Sequence, residues 1–295
     1  HGVLVASRTP QGLFYGVQTL RQLIRPGRKG AVIPYVKIAD WPALRYRGLT
    51  IDVSRGPILI DEQMRTAIRT LAEYKMNMVS FYMEHVFPYT HAPGVAPPGA
   101  EISPELIKRL AEYAKDFHIE IVPQQQMFGH LHHMLKLELY NPMAELPHSY
   151  VLAAEDEKAL EWTRLAGKQL AETFPGTFLH IGSDETWELG RGRSKEKADR
   201  VGVGTVYMDR MNRVFEDLKP FKRRLMFWGD IALKHPELIS KLPKELVAMT
   251  WGYNPEDDFS RMILAFKKQG MESLVCPGVN NWNRMFPNID DALVN

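Results

Sequence analysis

The sequence predicts an α/β protein whose main domain is a (β/α)8, TIM-type barrel, with the eighth βα unit missing from this chain. Three observations predict that architecture. Seven short apolar runs recur along the 295 residues, at 49–55, 78–85, 119–126, 178–185, 224–231, 246–253 and 272–279. Segments with apolar residues at three and four spacing lie between them, and alternating βα units imply a parallel sheet covered by helices. Polar or aromatic residues then close each run, where a barrel gathers its functional groups on one rim.

Residues 1–40 stand outside this rhythm. VLVASRT (3–9) reads as a strand, GLFYGVQTLRQLI (12–24) as a helix, and PYVKIADWPALRYRG (34–48) as an extended connector punctuated by Pro34 and Pro42. Residues 1–40 are therefore expected to be the C-terminal part of an N-terminal α+β accessory domain plus connector, and 41–295 the barrel. Within the barrel, 61–76, 103–118 and 157–174 carry the clearest helical periodicity, with Asp61 and Ser103 placed as N-caps. The open doubly wound sheet is the competing architecture. It would place a glycine-rich phosphate loop after its first strand, and DVSRGPILID is not one. After DDALVN the chain stops where an eighth βα unit would be due.

Composition excludes several classes. Thirty-seven Lys and Arg against 35 Asp and Glu leave a net charge of +2, with no basic tract interleaved with aromatics, so no nucleic-acid partner is expected. One cysteine, Cys276, excludes an internal disulfide framework. No run approaches the ~18 apolar residues of a membrane-spanning helix. The expectation is a soluble protein, cytoplasmic or exported, with its oligomeric state undetermined.

The strand ends carry Asp52 and Arg55, Glu84 and His85, Gln126 and His130, Asp184 and Glu185, Trp228 and Asp230, Trp251 and Tyr253, and Asn281 and Trp282. The stretch FLHIGSDETWELG (178–190) is the most informative, because a buried run ends in two adjacent carboxylates. Glycoside hydrolysis needs an acid to protonate the leaving oxygen and a second group at the anomeric carbon. Neighbours on a strand point to opposite faces, so Asp184 and Glu185 are expected to diverge. Trp228, Trp251 and Trp282 offer ring faces suited to the C–H surface of a sugar, although aromatic filler is their ordinary fate in a barrel.

These residues resemble a known family. HIGSDE (180–185) matches the signature of the family 20 glycoside hydrolases, the retaining β-N-acetylhexosaminidases. GLFYGVQTLRQL resembles the last helix of that family's accessory domain, YRGLTIDVSR its first barrel strand with the sugar-binding arginine, and QMFGH its third-strand histidine motif. YMEHVFPY and FGHLHHMLK are more similar to the hexosaminidase D-like branch. The resemblance implies exo-acting removal of terminal β-linked N-acetylglucosamine or N-acetylgalactosamine, with the substrate's 2-acetamido oxygen as nucleophile. Glu185 would then be the general acid/base, and Asp184 would accept the acetamido N–H. Arg55, Glu84, His130 and Asp230 would bind the sugar, Trp228 and Trp251 would wall the acetamide, and Trp187 would touch the leaving group. The family's Tyr-x-Asp element is replaced by GVNNWNR (278–284), so Tyr253 is the candidate phenol and Trp282 a further wall.

The alternatives are a non-catalytic carbohydrate-binding barrel, and a two-carboxylate retaining glycosidase with Glu84 as nucleophile. HLHHMLKLE (130–138) invites a zinc reading, with His130 and His133 on one helix face, but lacks HExxH spacing. Neither metal nor cofactor is expected.

Overall fold

A computed structural model describes residues 2–279, 286 and 288–295. The chain opens with helix α1 (Pro10–Leu23), set by Thr9, whose hydroxyl accepts from the Gly12 N–H at 3.0 Å, and by Pro10 in the first turn. A two-stranded antiparallel hairpin follows, β1 (Arg25–Gly27) with β2 (Gly30–Val32). The expected strand at 3–9 is absent: its backbone finds no ladder partner among the described residues, and Leu4 is 89% exposed. Strand propensity alone does not make a strand, because the N–H and C=O groups need a neighbour.

Seven parallel strands form one sheet in sequence order. Along the chain they run β3 (Gly48–Asp52), α2 (Asp61–Glu73), β4 (Met78–Met83), α3 (Pro104–Lys115), β5 (Glu120–Gln125), then α4 (His132–Leu135), α5 (Glu157–Thr173) and β6 (Phe178–His180). They continue through α6 (Lys195–Val201), α7 (Val203–Leu218), β7 (Arg224–Trp228), α8 (Asp230–Lys234), β8 (Val247–Gly252), α9 (Phe259–Lys267), β9 (Glu272–Pro277) and α10 (Ile289–Val294). Ser103 caps α3 as expected, accepting from the Leu106 N–H at 3.2 Å, and Ile107, Leu110, Ala111 and Ala114 bury one face. Asp61 is not the cap of α2. It lies in the first turn, bonded to Arg65 at 2.6 Å, while Gln63 accepts from the Ile60 N–H at 3.2 Å.

The sheet curls as a partial (β/α)8 barrel. Three strand spacings of ~4.8 Å would separate β3 from β6 by roughly 14 Å in a flat sheet. Yet Tyr46, just before β3, meets Phe178 of β6 edge to face at 5.2 Å, and Arg224 of β7 donates to the Tyr46 hydroxyl at 3.2 Å. Val122, Phe178, Met226 and Val247 fill the base of the interior, apart from the larger core between sheet and helices. The Cys276 thiol of β9 lies beside the Thr50 side chain of β3, so the two outer strands approach one another. No eighth strand lies among the described residues, and β3 and β9 remain unpaired on their outer edges.

Candidate functional site

The strand ends β3 to β8 converge at the C-terminal mouth of the barrel. On β3, Asp52 accepts from the Ser54 N–H at 2.9 Å and the Arg55 N–H at 3.1 Å, and pairs with Arg55 Nε at 2.7 Å. The same Arg55 nitrogen lies 3.6 Å from Glu84 Oε1, with the guanidinium 4.3 Å over the Tyr82 ring. Arg55 is thus held by two carboxylates and one aromatic face. Glu84 is buried, accepts from the Tyr82 hydroxyl at 2.8 Å, and its N–H donates to Ser54 Oγ at 2.7 Å. Burial raises the Glu84 carboxyl above the ordinary range, against the opposing Tyr82 hydrogen bond and Arg55 charge.

β6 ends earlier than the sequence pattern implied, at His180 rather than 185. Beyond it, Gly182, Ser183 and Glu185 take positive φ of 65°, 78° and 48°. That left-handed turn corrects the expected divergence of the carboxylates. Asp184 Oδ2 and Glu185 Oε2 lie 3.3 and 3.4 Å from the same atom, His130 Nε2. Neither contact has hydrogen-bond geometry, so the arrangement is an ion-pair cluster. Burial alone would lower the His130 pKa, but Asp184, Glu185 and Glu84 outweigh it and hold the imidazole up at about 10. His130 itself has φ +57°. The adjoining Gly129 lets the two loops touch, since a Cβ there would sit 2.4 Å from the Asp184 carbonyl oxygen.

Asp230 opens α8 and accepts from the Glu185 N–H at 3.1 Å. Burial, reinforced by the Asp184 charge, raises its carboxyl to about 8. The Glu185 carbonyl accepts from the Tyr150 hydroxyl at 3.0 Å and from the Trp187 N–H at 2.8 Å. His180 is buried; its Nδ1 accepts from the Gly182 N–H at 3.0 Å, and its ring lies 4.7 Å from that of Trp228. Burial lowers its pKa to about 3, so it stays neutral. Trp251 meets Tyr253 at 5.5 Å, and burial raises the Tyr253 phenol, which feels the charges of Arg55, Asp184 and Glu185. Trp187 is 40% exposed at the rim, with Lys234 Nζ 3.4 Å from its ring centre. Trp282 lies outside the described residues.

The three histidines of 130–133 do not converge. His130 precedes α4 and faces the acids, whereas His133 stacks on His85 at 3.9 Å. Among the described residues, no group of three or more His, Cys, Asp and Glu is arranged to hold a metal ion. Gln126, which is not among the expected site residues, is fully buried and donates to Asp184 Oδ1 at 2.7 Å. Its place at the end of a strand run was the available signal.

This arrangement offers a buried carboxylate acceptor, a partly exposed acid whose side chain is 37% exposed, one shared cation and an aromatic wall. A family model described as glycosyl hydrolase family 20, catalytic domain, matches residues 96–281, and one described as domain 2 of that family matches 1–41. A beta-hexosaminidase of Porphyromonas gingivalis is 26% identical over 273 residues, 78% of this chain and 34% of its own length. Human hexosaminidase D is 25% identical over 195 residues, 63% of this chain and 40% of its own. Among solved structures, Flavobacterium johnsoniae chitobiase superposes with a TM-score of 0.78 at 21% identity, covering 90% of this chain and 43% of that one. A Streptomyces plicatus beta-hexosaminidase variant in complex with GlcNAc product gives 0.72 at 20%, covering 93% and 57%. The chain therefore spans 34 to 57% of these relatives.

Proposed function

The chain belongs to glycosyl hydrolase family 20, and from that premise we propose that it removes terminal β-linked N-acetylglucosamine or N-acetylgalactosamine from glycans by substrate-assisted retaining hydrolysis. The observation that carries the reading is the convergence of Asp184 and Glu185 on His130. Glu185, the more exposed of the two, protonates the departing oxygen. Asp184, buried and fixed, accepts the acetamido N–H and stabilises the positive charge that develops as the acetamido oxygen attacks the anomeric carbon. Water then opens the cyclic intermediate with Glu185 as base, which returns the original anomeric configuration.

Arg55 and Glu84 grip the sugar hydroxyls. Glu84 is engaged by Tyr82 and faces Arg55, a bound arrangement that favours this over an attacking role. Trp228, Trp251 and Tyr253 enclose the acetamide, Asp230 braces the Glu185 backbone, and Trp187 meets the leaving group. Residues 1–40 are assigned to the accessory domain and 41–295 to the barrel. No described helix is long and apolar enough to cross a membrane.

The test is turnover of aryl glycosides. The β-linked N-acetylglucosaminide should be cleaved with retention, and the corresponding β-glucoside should not. Binding of the N-acetyl sugar without turnover would favour the carbohydrate-binding barrel instead.

A further inference from the structure

Gln126 occupies a position that neither packing nor the sugar clamp explains. It follows β5, is fully buried, and its side chain makes three hydrogen bonds. Its orientation is determined by chemistry. One end accepts from the Ser183 N–H at 3.1 Å, so that atom is Oε1 and the other is the amide nitrogen. Nε2 then spends one N–H on Asp184 Oδ1 at 2.7 Å and the other on the Tyr82 hydroxyl at 3.1 Å. Tyr82 in turn donates its own proton to Glu84 Oε1 at 2.8 Å. Every donor in the chain from Asp184 to Glu84 is used, and both carboxylates are acceptors.

The backbone is shaped around this amide. A Cβ on Gly182 would lie 2.0 Å from Gln126 Oε1, so the glycine that permits the left-handed turn also admits the glutamine. Asp184 shares its surroundings with two further carboxylates, Glu185 and Asp230, and with one cation, His130. A neutral donor supplies a hydrogen bond there without adding charge.

We propose that Gln126 is the positioning residue for Asp184: it holds Oδ1 so that Oδ2, on the His130 side, is the oxygen presented to the acetamido N–H. The inference rests on the substrate-assisted reading above. Without the amide, Asp184 loses its aim, and the loss falls on the cyclic transition state rather than on sugar binding.

The experiment is a double-mutant cycle on the full chain with Gln126→Met, Asp184→Ala and the pair. Gln126→Met should lower kcat on an aryl N-acetyl-β-glucosaminide on the order of 10²-fold. A thiazoline analogue of the intermediate should weaken by a similar factor, while the affinity for free N-acetylglucosamine changes less than about threefold, well inside that loss. In the Asp184→Ala background the same substitution should cost no more than about twofold in thiazoline affinity. Full additivity, or parallel losses in thiazoline and product binding, would show that Gln126 serves the fold and overturn the proposal. Should Gln126→Met not fold, Gln126→Asn, which shortens the side chain by one methylene and withdraws its amide from Asp184 Oδ1, carries the same cycle. A wild-type chain without turnover would remove the functional reading and this inference together, whereas additivity in an active wild type removes the inference alone.

Discussion

Asp184 and Glu185 are neighbours in sequence, and both present a carboxylate oxygen to one atom, His130 Nε2, at 3.3 and 3.4 Å. An extended strand would send them to opposite faces. The positive φ angles at Gly182, Ser183 and Glu185 fold them to the same side, so one imidazolium balances two acids with different exposure.

That difference separates their roles. Glu185→Gln should lower kcat/KM by roughly 10² to 10⁴ on substrates with poor leaving groups, the range expected for a lost general acid. The loss should be far smaller on a dinitrophenyl glycoside, whose leaving group needs little protonation. Equal losses on both would contradict the assignment.

Arg55 is held toward the site by Asp52 and Glu84. Arg55→Ala should weaken an inhibitor that mimics the sugar ring by about 1.5–3 kcal/mol for each charged hydrogen bond lost. An inhibition constant equal to that of wild type would remove Arg55 from the sugar subsite.

Asp230 gives a stability signature. Its carboxyl stands near 8 because of burial and the Asp184 charge, against about 4 in an unfolded chain. The folded state therefore binds more protons, and the contribution of Asp230 to stability declines as pH rises from about 4 through 8. Asp230→Asn keeps an acceptor for the Glu185 N–H and removes that titration. Its Tm relative to wild type should be higher at pH 9 than at pH 5, and a difference independent of pH would show that Asp230 is ionised throughout.

His130 titrates in the same direction with the opposite charge. Its pKa near 10, against about 6.5 unfolded, makes its stabilisation complete below about pH 6.5 and lost as pH rises through 10. His130→Gln should therefore lower Tm more at pH 6 than at pH 10.5. The reverse order would mean that the imidazole is neutral in the folded protein.

The seven barrel strands were legible because each is an apolar run closed by polar or aromatic residues, and a parallel strand buried on both faces needs such a run. Asp184 and Glu185 were legible for the same reason. Their geometry was not, because the left-handed turn is set by Gly182 and Ser183 in a contact with Gln126 that lies 57 residues from Ser183 in sequence. The β1–β2 hairpin escaped notice because strands of three residues show no alternation. The expected strand at 3–9 had the right composition but no neighbour to pair with among the described residues. His133 appeared to belong with His130 on spacing alone, whereas α4 begins after His130 and turns the two rings to different partners.

The central claim is that the substrate carries its own nucleophile. The most direct measurement is kcat/KM for aryl glucosaminides whose acetyl methyl carries zero, one, two or three fluorines. Each fluorine withdraws electron density from the attacking oxygen, so kcat/KM should decline steeply and monotonically across the series. A flat series, together with covalent labelling of Glu84 by a 2-fluoro sugar, would contradict it and establish the two-carboxylate mechanism in its place.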